Sequence, residues 1–253
     1  MYVTRQISHF LFNIYYKNDI IISVKKLKDI AYIVIHGFGG TPKDILSIKN
    51  ELIKNGINEE DIFTPLLKGH GIKGKIKIGT KYEDIINDLE KYIMKNCGEY
   101  KQKYVFGYSM GGLVSLGLAT NMKIDKLVLF NAPMHIWNFK NFVWTIYTKN
   151  PKQKIYHIKT VLSSFKYSKI VNSMELRRLQ AYVRANLDRV KADTYIIQSK
   201  HDYVATPTSA NEIYDKIGAV QKSIKWYDEM THYIPNEEKI GEVVSDTVEW
   251  IKI

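Results

Sequence analysis

The 253-residue chain predicts an α/β fold, a mostly parallel sheet with helices on both faces. Short, nearly continuous apolar runs, such as residues 30–35 and 126–130, read as strands buried on both faces. Segments with apolar residues at helical spacing separate these runs. Successive strands are therefore joined by crossovers of a dozen or more residues, as parallel pairing requires. The third observation is the pentapeptide Gly107-Tyr108-Ser109-Met110-Gly111, which follows the apolar run 103–106 and precedes a helix-compatible stretch at 112–119. Strand, sharp turn and helix is the setting in which Gly-x-Ser-x-Gly forms a nucleophile elbow.

In chain order, residues 5–16 place Ile7, Phe10, Leu11, Ile14 and Tyr15 at helical spacing, and residues 20–24 read as a short strand. Residues 1–28 are a lead-in. His9 and Asn13 interrupt its apolar stretch and no small-x-small site follows, so it reads as mature protein and not as a signal peptide. Residues 30–35 form the first buried strand and end in the turn His36-Gly37-Phe38-Gly39-Gly40. Thr41 as N-cap, Pro42 in the first turn and Asp44 then open a helix that Asn55-Gly56 ends. A short strand at 62–65 and a glycine- and lysine-rich loop at 66–80 precede a helix at 82–94, with Ile85, Ile86, Leu89 and Ile93 on one face. After the elbow and the strand 126–130, Asn131-Ala132-Pro133 closes the run. From 134 to 191 the strand–helix rhythm breaks, with helical character at 174–190, and the stretch reads as a cap inserted at the carboxyl edge of the sheet. The rhythm resumes with strand 194–198, helix 206–217, strand 223–227 and a last helix from about 239. The core is thus 29–133 and 192–253, with the cap at 134–191.

Bulk properties narrow the function. No run approaches the roughly 20 apolar residues of a membrane helix, so stable membrane insertion is not expected. The net charge is +11, but 32 of the 37 basic residues are scattered lysines. Arginine, the preferred reader of phosphates and bases, is scarce, which argues for a solvated surface and against nucleic acid. Cys97 is the only cysteine, so no internal disulfide forms and a cytoplasmic location is the expectation. No ligand cluster has metal spacing, and neither metal nor cofactor is expected.

A serine hydroxyl needs a histidine to take its proton, an acid to orient that histidine, and two N–H donors for the developing oxyanion. On this fold the expected chain order is oxyanion loop, serine, acid, histidine, each just past the carboxyl end of a strand. Asp202 is the one carboxylate in the loop after strand 194–198. Asp193 lies before that strand, and Asp228, after the next one, is the rival. His232 is the only histidine after Asp202 and falls between the last strand and the last helix. The donors expected are the N–H groups of Met110 and of Phe38 in the first glycine loop, each of the kind worth about 3 kcal/mol in the transition state.

The chain resembles the small bacterial carboxylesterases and monoacylglycerol lipases of the α/β-hydrolase superfamily from about residue 30 onward. The motifs that carry this are His36-Gly37-Phe38-Gly39-Gly40-Thr41-Pro42, Leu67-Lys68-Gly69-His70-Gly71 and Gly107-Tyr108-Ser109-Met110-Gly111-Gly112, with further likeness at 187–202, 209–214 and 224–227. The resemblance implies Ser109 as nucleophile, Asp202 as acid, His232 as base, donors at Phe38 and Met110, and a short cap over an acyl pocket. It departs at Met230-Thr231-His232, where the family has Ser-Gly-His, and in the cap. The expected function is hydrolysis of small-molecule carboxylic esters, with short- to medium-chain acyl groups or monoacylglycerols as substrates. The alternatives are a thioesterase, acyltransferase or long-chain lipase with the same triad, or a non-catalytic basic module. Trp137, Phe139, Phe142 and Trp144 in the cap are expected to face the site and bind the acyl group.

Overall fold

The computed structural model describes residues 28–71, 76–148, 154–155, 158, 170–228 and 230–253. The readings at 5–16 and 20–24 lie outside these residues, as does part of the cap.

Among the described residues six strands make one sheet: β1 (Lys28–Ile35), β2 (Ile62–Phe63), β3 (Tyr100–Tyr108), β4 (Lys126–Phe130), β5 (Asp193–Ser199) and β6 (Lys222–Tyr227). Their spatial order is β2-β1-β3-β4-β5-β6, and every pairing is parallel. The apolar runs obey the two-residue alternation of a strand buried on both faces. Ile33, Ile35, Val105, Leu127, Leu129 and Ile196 point into one core, while Val34, Phe106, Val128, Phe130 and Ile197 point into the other.

The first core is covered by α2 (Tyr82–Cys97), α3 (Met110–Ala119), α5 (Ile170–Asn186) and α6 (Pro207–Lys216). The second is covered by α1 (Leu46–Lys54) and α7 (Ile240–Ile251). The helix expected after Thr41 begins as a single 3-10 turn, Pro42–Ile45, before α1. The Asp44 carboxylate draws that turn tight by accepting from the Thr41 N–H at 2.6 Å and hydroxyl at 3.0 Å.

Between β4 and β5 lie α4 (Phe139–Thr148) and α5. Leu179, Val183 and Leu187 of this stretch are buried in the first core, and Tyr182 packs against it. The Glu175 side chain accepts from the Tyr82 N–H at the start of α2, at 3.3 Å. Here the chain between the strands supplies part of the sheet's cover. Among the described residues no helix is long and apolar enough to cross a membrane.

Register decides where the chemistry can be. Ile35 pairs with Gly107, Gly107 with Leu129, Phe130 with Ile197, and Ser199 with Tyr227. The strands therefore end in step, and the segments after β1, β3, β4, β5 and β6 emerge on one edge. That edge is where open parallel sheets bind ligands.

Candidate active site

Ser109 stands between β3 and α3 with φ 54° and ψ −123°, a backbone conformation that a non-glycine residue holds only when its surroundings force it. Its N–H donates to the Phe130 carbonyl at 2.8 Å. The glycines explain how the turn fits. A Cβ on Gly107 would sit 2.6 Å from the Gly111 carbonyl oxygen, and one on Gly111 would sit 2.5 Å from that of Ile35. Any side chain at either position collides with backbone, which cannot swing aside.

The serine hydroxyl lies 2.8 Å from His232 Nε2, and His232 Nδ1 lies 2.8 Å from Asp202 Oδ2. A carboxylate only accepts, so the Nδ1 hydrogen points at Asp202 and leaves Nε2 to accept from Ser109. Residues separated by 123 and 30 positions in the chain thus form one relay, and all three are buried. Asp202 is fully buried. Its second oxygen accepts from the amides of Val204 at 2.7 Å and Ala205 at 2.8 Å, which fixes the carboxylate plane. The rival Asp228 lies on the surface, paired with Lys200 at 2.8 Å, and this partner holds its carboxyl below the usual range.

Thr231, the residue before His232, is tied to the turn that follows. Its hydroxyl and its N–H both donate to one oxygen of Glu237, the N–H at 2.9 Å. This buried side chain anchors the loop that carries His232.

Phe38 and Met110 line one small apolar pocket together with Tyr82, Ile85, Leu176 and Leu179. Met110 is the first residue of α3, and the amides of a helix's first turn have no partner within the helix. The Phe38 loop is braced by His36. Leu67 N–H donates to His36 Nε2 at 3.1 Å, so the other ring nitrogen carries the hydrogen and donates to the Gly37 carbonyl at 3.0 Å. Burial lowers the pKa of His36, which keeps this bracing ring neutral. His70 packs edge-on against it at 5.1 Å, and burial pushes His70 down to about 4.

Ser109, Asp202, His232, Phe38 and Met110 therefore come together. Of the four cap aromatics, two meet the loop that carries Asp202. Trp144 stacks on His201 at 3.6 Å and Phe142 meets Tyr203 edge-on at 5.4 Å, both against the acid loop. Phe139 is 78% exposed and Trp137 47%. The rest of the wall around Phe38 and Met110 comes from α2, α5 and the loop residues Ile76 and Thr80. Two larger clefts among the described residues, of about 460 and 750 Å³, open near Lys126 and Asp193 and near Lys28 and Tyr104. Those are the amino ends of strands, away from Ser109. The described residues contain no cluster of three or more side chains able to hold a metal.

Comparison with known proteins agrees with this architecture. The family described as serine aminopeptidase, S33 (Hydrolase_4) matches residues 166–239, a span that includes Asp202 and His232. A carboxylesterase of Bacillus subtilis (strain 168) is 28% identical over 239 residues, covering 88% of this chain and 93% of the relative. A thermostable monoacylglycerol lipase of Bacillus sp. (strain H-257) is 29% identical over 217 residues, covering 77% and 79%. Among solved structures, a Paleococcus ferrophilus monoacylglycerol lipase superposes with a TM-score of 0.66 at 17% identity, covering 88% of this chain and 95% of that one. A structure described with the metagenome-derived lipolytic enzymes LipS and LipT gives 0.69 at 18% identity, covering 89% and 94%. The structural likenesses speak for the fold, and the sequence likenesses run through most of both bacterial relatives. With one parallel sheet beneath a strained serine turn, this chain is an α/β-hydrolase-fold protein that resembles the bacterial carboxylesterases and monoacylglycerol lipases.

Proposed function

We propose that the chain is a serine carboxylic-ester hydrolase that works through an acyl-enzyme. The observation that carries this reading is the relay Ser109–His232–Asp202, with both contacts at 2.8 Å. Ser109 Oγ attacks the ester carbonyl carbon while His232 Nε2 takes the hydroxyl proton. The carbonyl π electrons move onto oxygen, where the N–H groups of Phe38 and Met110 stabilise the negative charge. Collapse of this intermediate breaks the bond to the alkoxy oxygen, and His232 returns the proton to the departing alcohol. Water then attacks the acyl-enzyme, His232 takes its proton and passes it to Ser109 Oγ, and the acid leaves. Asp202 holds the imidazole in the tautomer both steps need.

The substrates we propose are esters with short- to medium-chain acyl groups, monoacylglycerols among them. The apolar pocket beside Phe38 and Met110 supports an apolar acyl group. About 20 Å³ of it is free, room for about one water-sized sphere. Longer chains require Leu176 and Leu179 to give way. We propose that residues 134–191 act as the cap over this pocket, with α5 as its fixed side, and that the enzyme works in a reducing, cytoplasmic compartment.

A fluorophosphonate probe tests the chemistry. It should label the folded wild-type protein and not Ser109→Ala; a folded wild type that stays unlabelled ends the serine-hydrolase reading. A p-nitrophenyl ester series from acetate to laurate tests the acyl preference. Rates should fall from butyrate to laurate, and a flat or rising series removes the short- to medium-chain assignment.

A further inference from the structure

Asn131, the residue after β4, has no part in the relay, yet it is fully buried and has φ 49°. Asparagine tolerates that backbone region better than most residues. Its side chain is saturated. The Ser199 N–H donates to Oδ1 at 2.8 Å, which fixes the orientation of the amide. Nδ2 then faces three acceptors: the Ser199 hydroxyl at 3.1 Å, the Thr231 carbonyl at 3.0 Å and the His232 carbonyl at 3.1 Å. The Ser199 hydroxyl also donates to the Thr231 carbonyl at 2.8 Å.

Ser199 ends the strand that leads to Asp202, and its carbonyl accepts the Asp202 N–H at 3.2 Å. One amide therefore ties the end of the acid's strand to the backbone of the base. The residue type is specified by this job. Three acceptors facing Nδ2 demand a donor, and one N–H facing Oδ1 demands an acceptor. An aspartate of the same shape would present an oxygen to the two carbonyls. A glycine would keep the backbone and bond nothing.

We infer that Asn131 is a positioning residue that sets the distance between His232 and Asp202 by holding both of their loops. This rests on the proposed roles of Ser109, His232 and Asp202. It predicts damage to chemistry more than to binding, because no atom of the network belongs to the acyl pocket. A misplacement of about 1 Å in such a relay costs on the order of 100-fold in rate.

The experiment compares Asn131→Asp, Asn131→Gly and wild type by steady-state kinetics on p-nitrophenyl butyrate. It also records the downfield proton resonance of the His232 Nδ1–H bonded to Asp202. Both variants should lose about 10- to 100-fold in kcat with KM within about twofold, and the resonance should broaden or vanish. An intact resonance with kcat within about twofold of wild type, whatever the melting temperature does, makes Asn131 merely structural and overturns the inference. Should both variants fail to fold, Ser199→Ala reads the same network. A weakened resonance supports the inference and an unchanged one overturns it. The resonance needs no turnover, so a wild type that shows it but hydrolyses no ester would count against the proposed function and leave the positioning role standing.

Discussion

Ser109 and His232 reach the same edge of the sheet by different means. Ser109 is held by backbone: a strained φ, glycines that leave no space for a Cβ, and an N–H bonded to the Phe130 carbonyl. His232 is held by side chains drawn from other segments, Asn131 from the end of β4 and Glu237 through Thr231. The first device is local and stiff, so it leaves a short motif in the sequence. The second joins Glu237, six residues from Thr231, to Asn131, about 100 positions away, and leaves none. Backbone devices should break all at once when a side chain is added. Side-chain devices should loosen in steps as partners are removed.

Substitutions on the two sides sharpen that contrast. Ser109→Ala should give the largest effect, a loss of about 10⁴-fold or more in kcat on p-nitrophenyl butyrate with the melting temperature nearly unchanged. A residual rate within about tenfold of wild type would remove Ser109 from the chemistry. Gly111→Ala should come next. Its Cβ meets two carbonyl oxygens, at 2.5 and 2.6 Å, so the elbow must open, with lost fluorophosphonate labelling and a lower melting temperature. Near-normal labelling would show that the backbone device is softer than its geometry implies.

Leu179→Ala acts on the pocket and not on the relay. It should move the preferred p-nitrophenyl ester to a longer acyl chain, with discrimination changing by about 10-fold, and cost about 3 kcal/mol of stability in urea unfolding. An unshifted preference would place the acyl group elsewhere.

The smallest effect concerns Glu212, which binds Arg184 at 2.8 Å, Lys216 at 2.7 Å and His135 at 2.8 Å. The Arg184 hydrogen bond and then Lys216 hold its carboxyl down at about 2, against an ordinary value of 4.5, despite burial. A carboxyl depressed on folding stabilises above its unfolded value and loses that contribution as pH falls through the folded one. The melting-temperature gap between wild type and Glu212→Gln should therefore persist from neutrality to about pH 4.5 and close toward about pH 2. A gap independent of pH would mean that the network acts through packing alone.

The same contrast explains what could be read from the chain. Strands showed themselves through runs such as Ile33-Val34-Ile35, because a strand buried on both faces has no polar position to spare. The elbow showed itself because its turn admits only glycine two places to either side of the serine. Asp202 and His232 were legible by elimination, since a parallel sheet presents few loops at its carboxyl edge. The small apolar pocket beside Phe38 and Met110 was not legible. Tyr82 and Leu179 sit at helical spacings that serve a core equally well, and only packing α2 against α5 makes them a wall. The direction of Trp144 was not legible either: an aromatic ring carries no sign of where it turns, and this one stacks on His201. Asn131 looked like a turn residue because its partners, Ser199 and the His232 backbone, are remote in the chain.

Cys97, at the buried end of α2, has a practical consequence. Burial pushes its thiol up to about 11, and it is the only cysteine in the chain. At neutral pH it stays protonated and shielded, inert toward maleimides and iodoacetamide while the protein is folded. One cysteine introduced on the surface can therefore carry a fluorophore at a chosen place without removal of the native one. Cys97 itself then becomes a clock for global unfolding, since its alkylation reports the moment the core opens.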